Sequence, residues 1–301
     1  MGVRKVLTII LCAAILCIPL RAGRTTNGSS DFLQGIMTAS AGIFPLTLNT
    51  QAQGTVSFVL NLIAFPTSGG SAGPGCGVHC GEIINIVASH ITGTNGCQTT
   101  DGACLDIYVC PNGTTFCTGG KINVDITTPN VGEASAGWPV STGLHQYTFL
   151  LNRTAANNQM YQDGVLVTLS GSSNSGDPGP INYIAGGAGC GSGCPITLMA
   201  GNAGAAPNPD SFANGTISDV GIWNVTLSTG EITSLANCVP PNRIQPEHVV
   251  YWPIYGVDSP EPGYTNQLTG STPALHVIPL TLTGTTKTIQ QSGCQPGGAY
   301  R

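Results

Sequence analysis

Charged side chains are scarce in this sequence. Only 8% of its 301 residues are Asp, Glu, Lys or Arg, whereas ordinary soluble proteins carry roughly 25%. Nine basic residues stand against fourteen acidic ones, and the body of the chain has no basic patch, which argues against nucleic acid as a ligand. Ser, Thr, Asn and Gly take the place of charge, so the predicted surface is neutral. A neutral surface repels further copies weakly and favours packing into an assembly.

Helical periodicity is missing as well. Beyond the N-terminal segment, no stretch of ten or more residues spaces its apolar side chains as a helix would. Apolar runs at residues 55–65, 83–91, 105–109 and 121–126 take its place, separated by loops rich in Gly, Ser and Pro. Short runs bounded by such loops are typical of strands, so the sequence predicts an all-β chain.

The N-terminal segment has the pattern of a secretory signal. Arg4 and Lys5 precede an uninterrupted apolar run of fifteen residues, from Val6 to Leu20. That length suits the apolar region of a signal peptide and is short for a bilayer span. We therefore predict a signal peptide over residues 1–22, cleaved between residues 20 and 30, and a secreted or cell-surface protein. An uncleaved anchor is the alternative.

The cysteines indicate a disulfide framework. Ten of the twelve lie beyond the predicted signal, and an even number in an exported chain is typical of disulfide pairing. The spacing favours five pairs, Cys76–Cys80, Cys97–Cys104, Cys110–Cys117, Cys190–Cys194 and Cys238–Cys294. Crossed pairing among the four cysteines between residues 97 and 117 stays open. A zinc site at Cys76, His79 and Cys80 is a minor alternative, because the spacing is loose and export favours disulfides.

Five sequons could carry glycans in a secreted chain. They lie at Asn27, Asn112, Asn152, Asn214 and Asn224. Several would arise by chance in a chain this rich in Asn, Ser and Thr, so glycosylation is an expectation that depends on the host.

A short capped helix is the clearest local prediction. Ser228 can serve as the N-cap, and Glu231 three residues later completes a capping box. Leu227 and Ile232 flank the same turn as a hydrophobic staple. Gly230 weakens the helix and a Cys-Val-Pro-Pro sequence ends it, so we expect about two turns at most.

The strand before this helix has an irregular apolar pattern. Ile217 is out of phase with Val220 and Ile222 by one residue. If all three side chains lie in the core, a β-bulge near Ser218 and Asp219 must switch the face of the strand.

A hairpin motif lies further upstream. His145, Tyr147, Phe149 and Leu151 alternate, and a polar turn leads into Gln-Met-Tyr-Gln-Asp-Gly-Val-Leu-Val. The Asp-Gly pair that begins at Asp163 is typical of a two-residue hairpin turn. We interpret Asp163 as a turn former and His145 as a structural residue of its strand.

These motifs together resemble the laminin G-like, or concanavalin A-like, superfamily, including its pentraxin-like members. The resemblance rests on the His145 strand, the Tyr-x-Asp-Gly hairpin, and the run Phe-x-x-Gly-x-Ile-x-Asp-Val-x-Ile-Trp-Asn-x-x-Leu-Ser-x-x-Glu-Ile at residues 212–232. It covers residues 145–237 by motif and residues 50–130 by strand pattern alone. It implies a jelly-roll sandwich of two antiparallel sheets with one short helical turn.

The domain organisation follows from this resemblance and from the change in composition after Cys238. We predict a sandwich over residues 25–238 and an extension over residues 239–301. The Cys238–Cys294 pair would tie the extension to the sandwich. The extension packs on the sandwich or on a neighbouring subunit.

The resemblance also implies candidate binding residues. Members of the superfamily often bind carbohydrates or surface ligands, in many cases through calcium. The loop before Phe212 offers Asn208 and Asp210 as calcium ligands, although calcium takes about six to eight oxygens, so the cofactor is either none or calcium. Four aromatic residues of the extension could stack on a sugar or, alternatively, cover a hydrophobic seam. They are Tyr251, Trp252, Tyr255 and Tyr264.

Catalysis is not expected. Retaining glycosidases on this sandwich need two carboxyl groups about 5–5.5 Å apart. Glu82, Asp106, Asp125 and Glu133 are isolated in the sequence, although distant carboxylates could still meet in the fold, and no His lies in a nucleophile-elbow context. The leading hypothesis is a secreted, non-catalytic protein that binds a glycan or surface ligand. The alternative is a structural subunit of an extracellular filament or surface layer, and a glycan-active enzyme comes third.

Overall fold

The computed structural model describes thirteen segments of the chain, some residues by their backbone alone. They are residues 22–37, 47–48, 52–66, 81–87, 104–110, 120–128, 132–178, 181–182, 194–202, 209–254, 264–265, 281–284 and 286–289. In chain order the strands are β1 (Ala22–Asn27), β2 (Phe32–Met37), β3 (Thr47–Leu48), β4 (Ala52–Ala64), β5 (Gly81–Val87), β6 (Cys104–Cys110), β7 (Lys121–Thr128), β8 (Gly132–Pro139), β9 (Gly143–Asn152), β10 (Gln159–Gln162), β11 (Val165–Val167), β12 (Gly171–Asn174), β13 (Ile181–Asn182), β14 (Cys194–Leu198), β15 (Gly201–Asn202), β16 (Pro209–Asp210), β17 (Asn214–Trp223), β18 (Val249–Trp252), β19 (Tyr264–Thr265), β20 (Thr281–Thr283) and β21 (Thr286–Ile289). One α-helix, α1 (Thr229–Ala236), and three short 3-10 turns, Ala155–Asn157, Pro241–Arg243 and Pro246–His248, complete the described elements.

Most of these strands form two antiparallel sheets that pack as a sandwich. The first sheet has the order β11-β10-β9-β4-β17-β1-β21, and β18 pairs with β17 and with β19. The second sheet has the order β12-β8-β7-β6-β5-β14-β2-β20. The predicted all-β sandwich of two antiparallel sheets with one short helix is therefore confirmed.

The core lies between the two sheets and follows the predicted alternation. Phe58 of β4 and Phe149 of β9 stack in the first sheet, with ring centroids 5.9 Å apart. Trp138 of β8 meets Phe149 edge-on from the second sheet, at 5.7 Å. All three side chains are fully buried, so one aromatic cluster joins the two sheets.

A second apolar cluster covers the outer face of the first sheet under α1. Ser228 caps the helix and forms both hydrogen bonds of the capping box with Glu231, as predicted. Leu227 and Ile232 lie buried in the same cluster, where the staple was expected. Trp223 also belongs to this cluster, and its indole N–H donates to the Ile244 carbonyl at 2.7 Å.

The predicted bulge in β17 is present. The register between β17 and β4 shifts between Ser218 and Gly221, and Asp219 has a φ of 51°. The shift lets Ile217, Val220 and Ile222 all lie in the core, fully buried. The Asp219 carboxylate accepts a hydrogen bond from the hydroxyl of Tyr251 at 2.7 Å.

Both ends of the described chain contribute strands to the sandwich. Strand β1 begins at Ala22 and lies between β17 and β21. Strand β20 pairs with β2 in the second sheet, while β18 extends the pairing of β17. The sheets therefore reach beyond residues 25–238 at both ends. The described strands after Cys238 contribute to both sheets. Among the described residues, none of the helices has the length and apolar character needed to span a membrane.

The disulfide map remains a prediction. Cys110 and Cys238 each take part in a disulfide. In neither case does the partner lie among the described side chains. Cys104 and Cys194 are described by their backbone alone, and the other predicted partners lie outside the described residues.

Candidate functional site: a polar ladder on the second sheet

The outer face of the second sheet carries a row of polar side chains across four neighbouring strands. In register, Asn85 of β5 lies opposite Asp106 of β6, Asp106 lies opposite Asp125 of β7, and Asp125 lies opposite Ser135 of β8. A neighbouring row contains Glu82, Tyr108 and Asn123. We call these seven residues the polar ladder.

Strand periodicity explains why these residues share one face. The residues that alternate with them, such as Leu105, Ile107, Val124 and Ile126, are fully buried in the core between the sheets. Since successive side chains of a strand point to opposite faces, the polar residues must lie on the other face. The apolar side chains of β6 and β7 thus face the core between the sheets, and their polar side chains face the opposite side of the second sheet.

The ladder is held by hydrogen bonds between strands. The Tyr108 hydroxyl donates to Asp125 Oδ2 at 2.8 Å, and the Asn85 amide donates to Asp106 Oδ1. The Asn123 amide donates to Cys110 Sγ at 2.9 Å. Gly137 lies opposite Asn123 on β8, and a Cβ atom there would overlap the Asn123 amide oxygen, so a larger residue at this position would displace the Asn123 amide.

The ladder is screened from water. Glu82, Asn85, Asp106 and Asp125 are at most 1% exposed. Buried carboxyl groups reduce stability unless they are hydrogen-bonded or neutral. Asp125 accepts hydrogen bonds from Tyr108 and Ser135, and since each carboxylate oxygen has two lone pairs, it retains acceptor capacity for a further donor.

Burial shifts the ionisation of the ladder. Loss of hydration raises the pKa of Asp125 to about 7, with Glu133 adding to the rise, while hydrogen bonds from Ser135 and Tyr108 oppose it. Burial, and then the nearby carboxylates of Asp125, Glu82 and Asp106, raises the pKa of Tyr108 well above its ordinary value. Near neutral pH, Asp125 therefore exchanges between an acceptor and a donor form, whereas Tyr108 stays a donor.

Sequence reasoning missed this arrangement. Glu82, Asp106 and Asp125 are isolated along the chain, but consecutive antiparallel strands place them side by side. The signal was present in the patterns Leu-Asp-Ile-Tyr-Val and Ile-Asn-Val-Asp-Ile, which place an acid in the centre of an alternating strand. The register between the strands, which decides that the acids meet, is not visible in either pattern.

The structure describes neither side chain of the predicted calcium ligands and the side chains of only two of the four predicted aromatic residues. Asn208 and Tyr255 lie outside the described residues, and Asp210 and Tyr264 are described by their backbone alone. Within the described segments, no group of three His, Cys, Asp or Glu side chains lies close enough to hold a metal ion. Calcium binding by Asn208 and Asp210 stays a prediction.

The two described aromatic candidates lie in the interior. Tyr251 is 4% exposed and Trp252 is fully buried. Strand β18 pairs with the end of β17, which places Tyr251 in the cluster under α1 and Trp252 in the core between the sheets. Neither ring offers a face to a sugar in this arrangement, which agrees with the alternative interpretation that they cover a hydrophobic seam.

His145 and Asp163 form the turn contact expected of structural residues. His145 Nδ1 lies 2.8 Å from Asp163 Oδ2, and the Gln146 backbone N–H donates to Asp163 Oδ1 at 2.9 Å. Asp163 and Gly164 have φ values of 53° and 78°, as a primed two-residue turn requires. The contact ties the β10–β11 hairpin to β9.

The described sequons differ in accessibility. Asn27 is exposed, and Asn214 and Asn224 are half-buried. Asn152 is only 8% exposed, and its carbonyl groups accept the Thr154 backbone N–H and the Asn158 amide. Asn112 lies outside the described residues. Among the described sites, Asn27 is the most accessible to a glycan.

Comparison with known proteins identifies the fold. No protein-family profile matches the sequence, and no curated protein matches it. A candidate carbohydrate-binding protein from Bacteroides ovatus superposes with a TM-score of 0.51 at 12% identity, over 91% of this chain and 60% of that protein. The chain thus spans about three fifths of the length of that protein.

Two further structures match with lower scores. A heptameric SAP-like pentraxin from Limulus polyphemus has a TM-score of 0.46 at 12% identity, over 73% of this chain and 83% of that one. The CBM40 domain of a Ruminococcus gnavus IT-sialidase, bound to α2,3-sialyllactose, has a TM-score of 0.40 at 8% identity, over 71% and 96% of the two chains.

The protein therefore has a concanavalin A-like sandwich fold, the architecture that its motifs predicted. At these identities, the similarity to lectin-like domains and pentraxins is distant and concerns the fold.

Proposed function

We propose that this protein is a secreted, non-catalytic binding protein that recognises a neutral glycan through the polar ladder. The observation that carries the proposal is the row Asn85, Asp106 and Asp125, which crosses three adjacent strands of one sheet. Carboxyl and amide groups buried on a sheet face reduce stability, and such groups with perturbed pKa values are concentrated at functional sites.

The chemistry of the ladder suits a ligand rich in hydroxyl groups. Each sugar hydroxyl both donates and accepts a hydrogen bond. Asp125, with a pKa raised by burial to about 7, can do the same near neutral pH, and its oxygens retain acceptor capacity beyond the hydrogen bonds from Tyr108 and Ser135. Hydrogen bonds formed in a water-poor site are stronger than those at the surface.

The charge of the ladder favours a neutral glycan over an acidic one. Glu82, Asp106 and Asp125 all lie near Tyr108 and raise its pKa electrostatically. A sialic acid or uronic acid would bring a further negative charge to this group and be repelled. Since the ladder is buried, a ligand can reach it only through local opening, so we expect slow association.

The comparison with solved structures supports this proposal at the level of the fold. The Bacteroides ovatus protein, which shares the sandwich, is a candidate carbohydrate-binding protein. The non-catalytic part of the proposal rests on the sequence, which has no Glu-x-Asp-x-x-Glu strand. Release of reducing sugar from plant or microbial polysaccharides would overturn that part alone.

Binding to an array of neutral and sialylated glycans, followed by calorimetry, tests the proposal. We expect neutral glycans to bind, and the Asp125→Asn and Asn123→Ala variants to weaken binding at least tenfold, or about 1.4 kcal/mol. Thr148→Val is the matched control, because Thr148 is equally buried but bonds to Ser57 in the first sheet. An array without hits, with and without calcium, or equal losses in all three variants, would refute the proposal.

A further inference from the structure

One side of the sandwich exposes two strand edges that are consecutive in the chain. Strand β11 is the outermost strand of the first sheet, and β12 is the outermost strand of the second. Three residues, 168–170, join them. Among the described strands, β11 pairs with β10 alone and β12 pairs with β8 alone, so the outer hydrogen-bonding row of each strand faces away from the sandwich. We call residues 165–176 the open edge.

The open edge is apolar at β11. Val165 is 68% exposed and Leu166 is 55% exposed, and among the described large hydrophobic residues only Ile63, at 50%, is comparably exposed. Strand β12 is exposed along its whole length. Isolated exposed apolar residues are ordinary on protein surfaces, but an apolar strand edge is a template for pairing with another strand.

The open edge lacks the devices that usually block such pairing. Residues 165–176 read Val-Leu-Val-Thr-Leu-Ser-Gly-Ser-Ser-Asn-Ser-Gly, without a charged residue or a proline. Edge strands are commonly protected by Lys, by proline, or by a bulge. The pairing of β11 with β10 and of β12 with β8 is regular, without a bulge. On the opposite side of the sandwich, the edge strand β21 carries Lys287.

The hairpin register shows which backbone groups are free to pair. Gln162 lies opposite Val165 across the two-residue turn, and Met160 lies opposite Val167. In an antiparallel ladder, hydrogen-bonded and non-hydrogen-bonded pairs alternate, and the pair next to a two-residue turn is hydrogen-bonded. The N–H and C=O of Leu166 therefore point away from β10, toward the open edge.

We propose that two copies of this chain associate through the open edge in a symmetric dimer with a continuous first sheet. A two-fold axis perpendicular to the sheets places β11 antiparallel to β11 of the second copy. With the axis at Leu166, each Leu166 exchanges both backbone hydrogen bonds with the other Leu166. Val165 then faces Val167 of the second copy, so the cross-strand pairs are apolar and self-complementary.

A second copy fits this edge better than an unrelated strand for two reasons. The open edge carries no charge, so two copies, each with a formal net charge of only −5, can approach closely there. The same two-fold axis also brings β12 beside β12 of the second copy, because β12 is the outer strand of the other sheet on the same side. Strand β12 is exposed along its whole length, as this approach requires.

The molar mass of the purified full chain tests the dimer, measured by light scattering and sedimentation over a concentration series. We expect the wild type to approach twice the monomer mass as concentration rises. Leu166→Pro removes the one outward N–H of β11 but leaves the pairs of Val165 and Val167 with β10. The molar mass of this variant should therefore stay at the monomer value at concentrations where the wild type is a dimer. The double substitution Val165→Lys with Leu166→Lys should do the same by charge repulsion. Circular dichroism melts will show whether the variants are folded.

Ile63→Lys is the matched control. Ile63 is similarly exposed but lies in β4, a strand with neighbours on both sides. Its substitution should leave the dimer intact. A wild type that stays monomeric at the highest concentration would overturn the proposal. An equal loss of mass in Ile63→Lys, or an open-ended polymer, would do so as well. Capture of an unrelated strand by a monomeric wild type would assign the edge to a different partner.

Discussion

At the scale of single residues, the ionisation of Asp125 determines how much the polar ladder destabilises the fold. Its pKa rises from 3.8 to about 7 because the carboxyl group is buried, and the hydrogen bond from Tyr108 offsets only part of that rise. A raised pKa means that the folded state holds the proton more tightly than the unfolded chain. The stabilising effect of protonation is complete below the unfolded pKa of 3.8 and is lost as the pH rises through about 7.

The Asp125→Asn substitution should remove this pH dependence. Between about pH 4 and pH 8, we expect the free energy of unfolding of the wild type to fall by up to about 4 kcal/mol relative to the variant. Urea denaturation across this pH range measures the difference. Asp177→Asn is the control, because the Asp177 side chain is 55% exposed and makes a surface ion pair with Arg153. If the free energy of unfolding changed with pH in the same way for the wild type and Asp125→Asn, the raised pKa of Asp125 would be contradicted.

Two glycines differ in the space that surrounds their Cα atoms. A Cβ atom at Gly221 would lie 2.5 Å from the Trp223 ring and 2.7 Å from Pro241 Cβ. Gly221→Ala should therefore destabilise the protein by roughly 1–3 kcal/mol through overpacking. At Gly230, in α1, a Cβ atom meets nothing within 4 Å, so Gly230→Ala should stabilise by about 0.5–1 kcal/mol. Thermal and chemical denaturation compare them, and a change of the same sign in both variants would contradict this packing.

At the scale of elements, the helix α1 depends on its cap. Ser228 accepts the Glu231 N–H and the Glu231 carboxylate accepts the Ser228 N–H, which satisfies two backbone donors that the helix itself cannot. The helix has eight residues, too few to be stable alone. Its cap and its contact with Trp223 and Tyr161 hold it on the sheet.

The Ser228→Ala substitution should lower the free energy of unfolding by about 1 kcal/mol. Thr229→Ala, at the next and equally exposed position, is the control and should change it little. Burial raises the pKa of Glu231, but the hydrogen bonds from Ser228 and Gln245 together outweigh burial, so the pKa is lowered. The contribution of Glu231 is therefore present above its unfolded pKa and lost as the pH falls through the lower folded value. Equal effects of the two substitutions would contradict the role of the cap.

At the scale of the whole molecule, strand β1 constrains how the chain can be processed. Thr26 is buried, and its hydroxyl donates to the Ala213 carbonyl at 2.7 Å. Because β1 lies between β17 and β21, its removal would leave a gap in the first sheet. A signal cleaved late in the predicted range of residues 20–30 would cause that loss.

We therefore expect the mature chain to begin no later than Ala22, where β1 begins, which is one residue earlier than the predicted signal over residues 1–22 implies. Mass spectrometry of the secreted protein gives the cleavage position. A recombinant chain that begins at Ala22 should fold cooperatively, and one that begins at Gly28 should not, as judged by circular dichroism melts. A folded, secreted chain that starts beyond Asn27 would contradict this prediction.

Whether a feature could be predicted from the sequence depends on how far apart in the chain its interacting residues lie. The cap of α1 was predictable because Ser228 and Glu231 lie within one turn of each other. The bulge was predictable because a change of phase between Ile217 and Val220 has one geometric solution if both are buried. Tyr251 and Trp252 were ambiguous, since an aromatic strand pattern is the same whether the rings face a ligand or a core. The pairing of β18 with β17 is a contact between distant segments, and it buries both rings.

The sequence by itself determined the strands β4 to β7, the hairpin turn at Asp163, the bulge and the capped helix, because each depends on the conformational preferences and spacing of neighbouring residues. Only the tertiary structure decided that Asn85, Asp106 and Asp125 form one buried row, and that β11 and β12 leave one side of the sandwich open. Both features arise from the register and order of strands that are far apart in the chain. That order is set by burial of the whole core rather than by any local pattern.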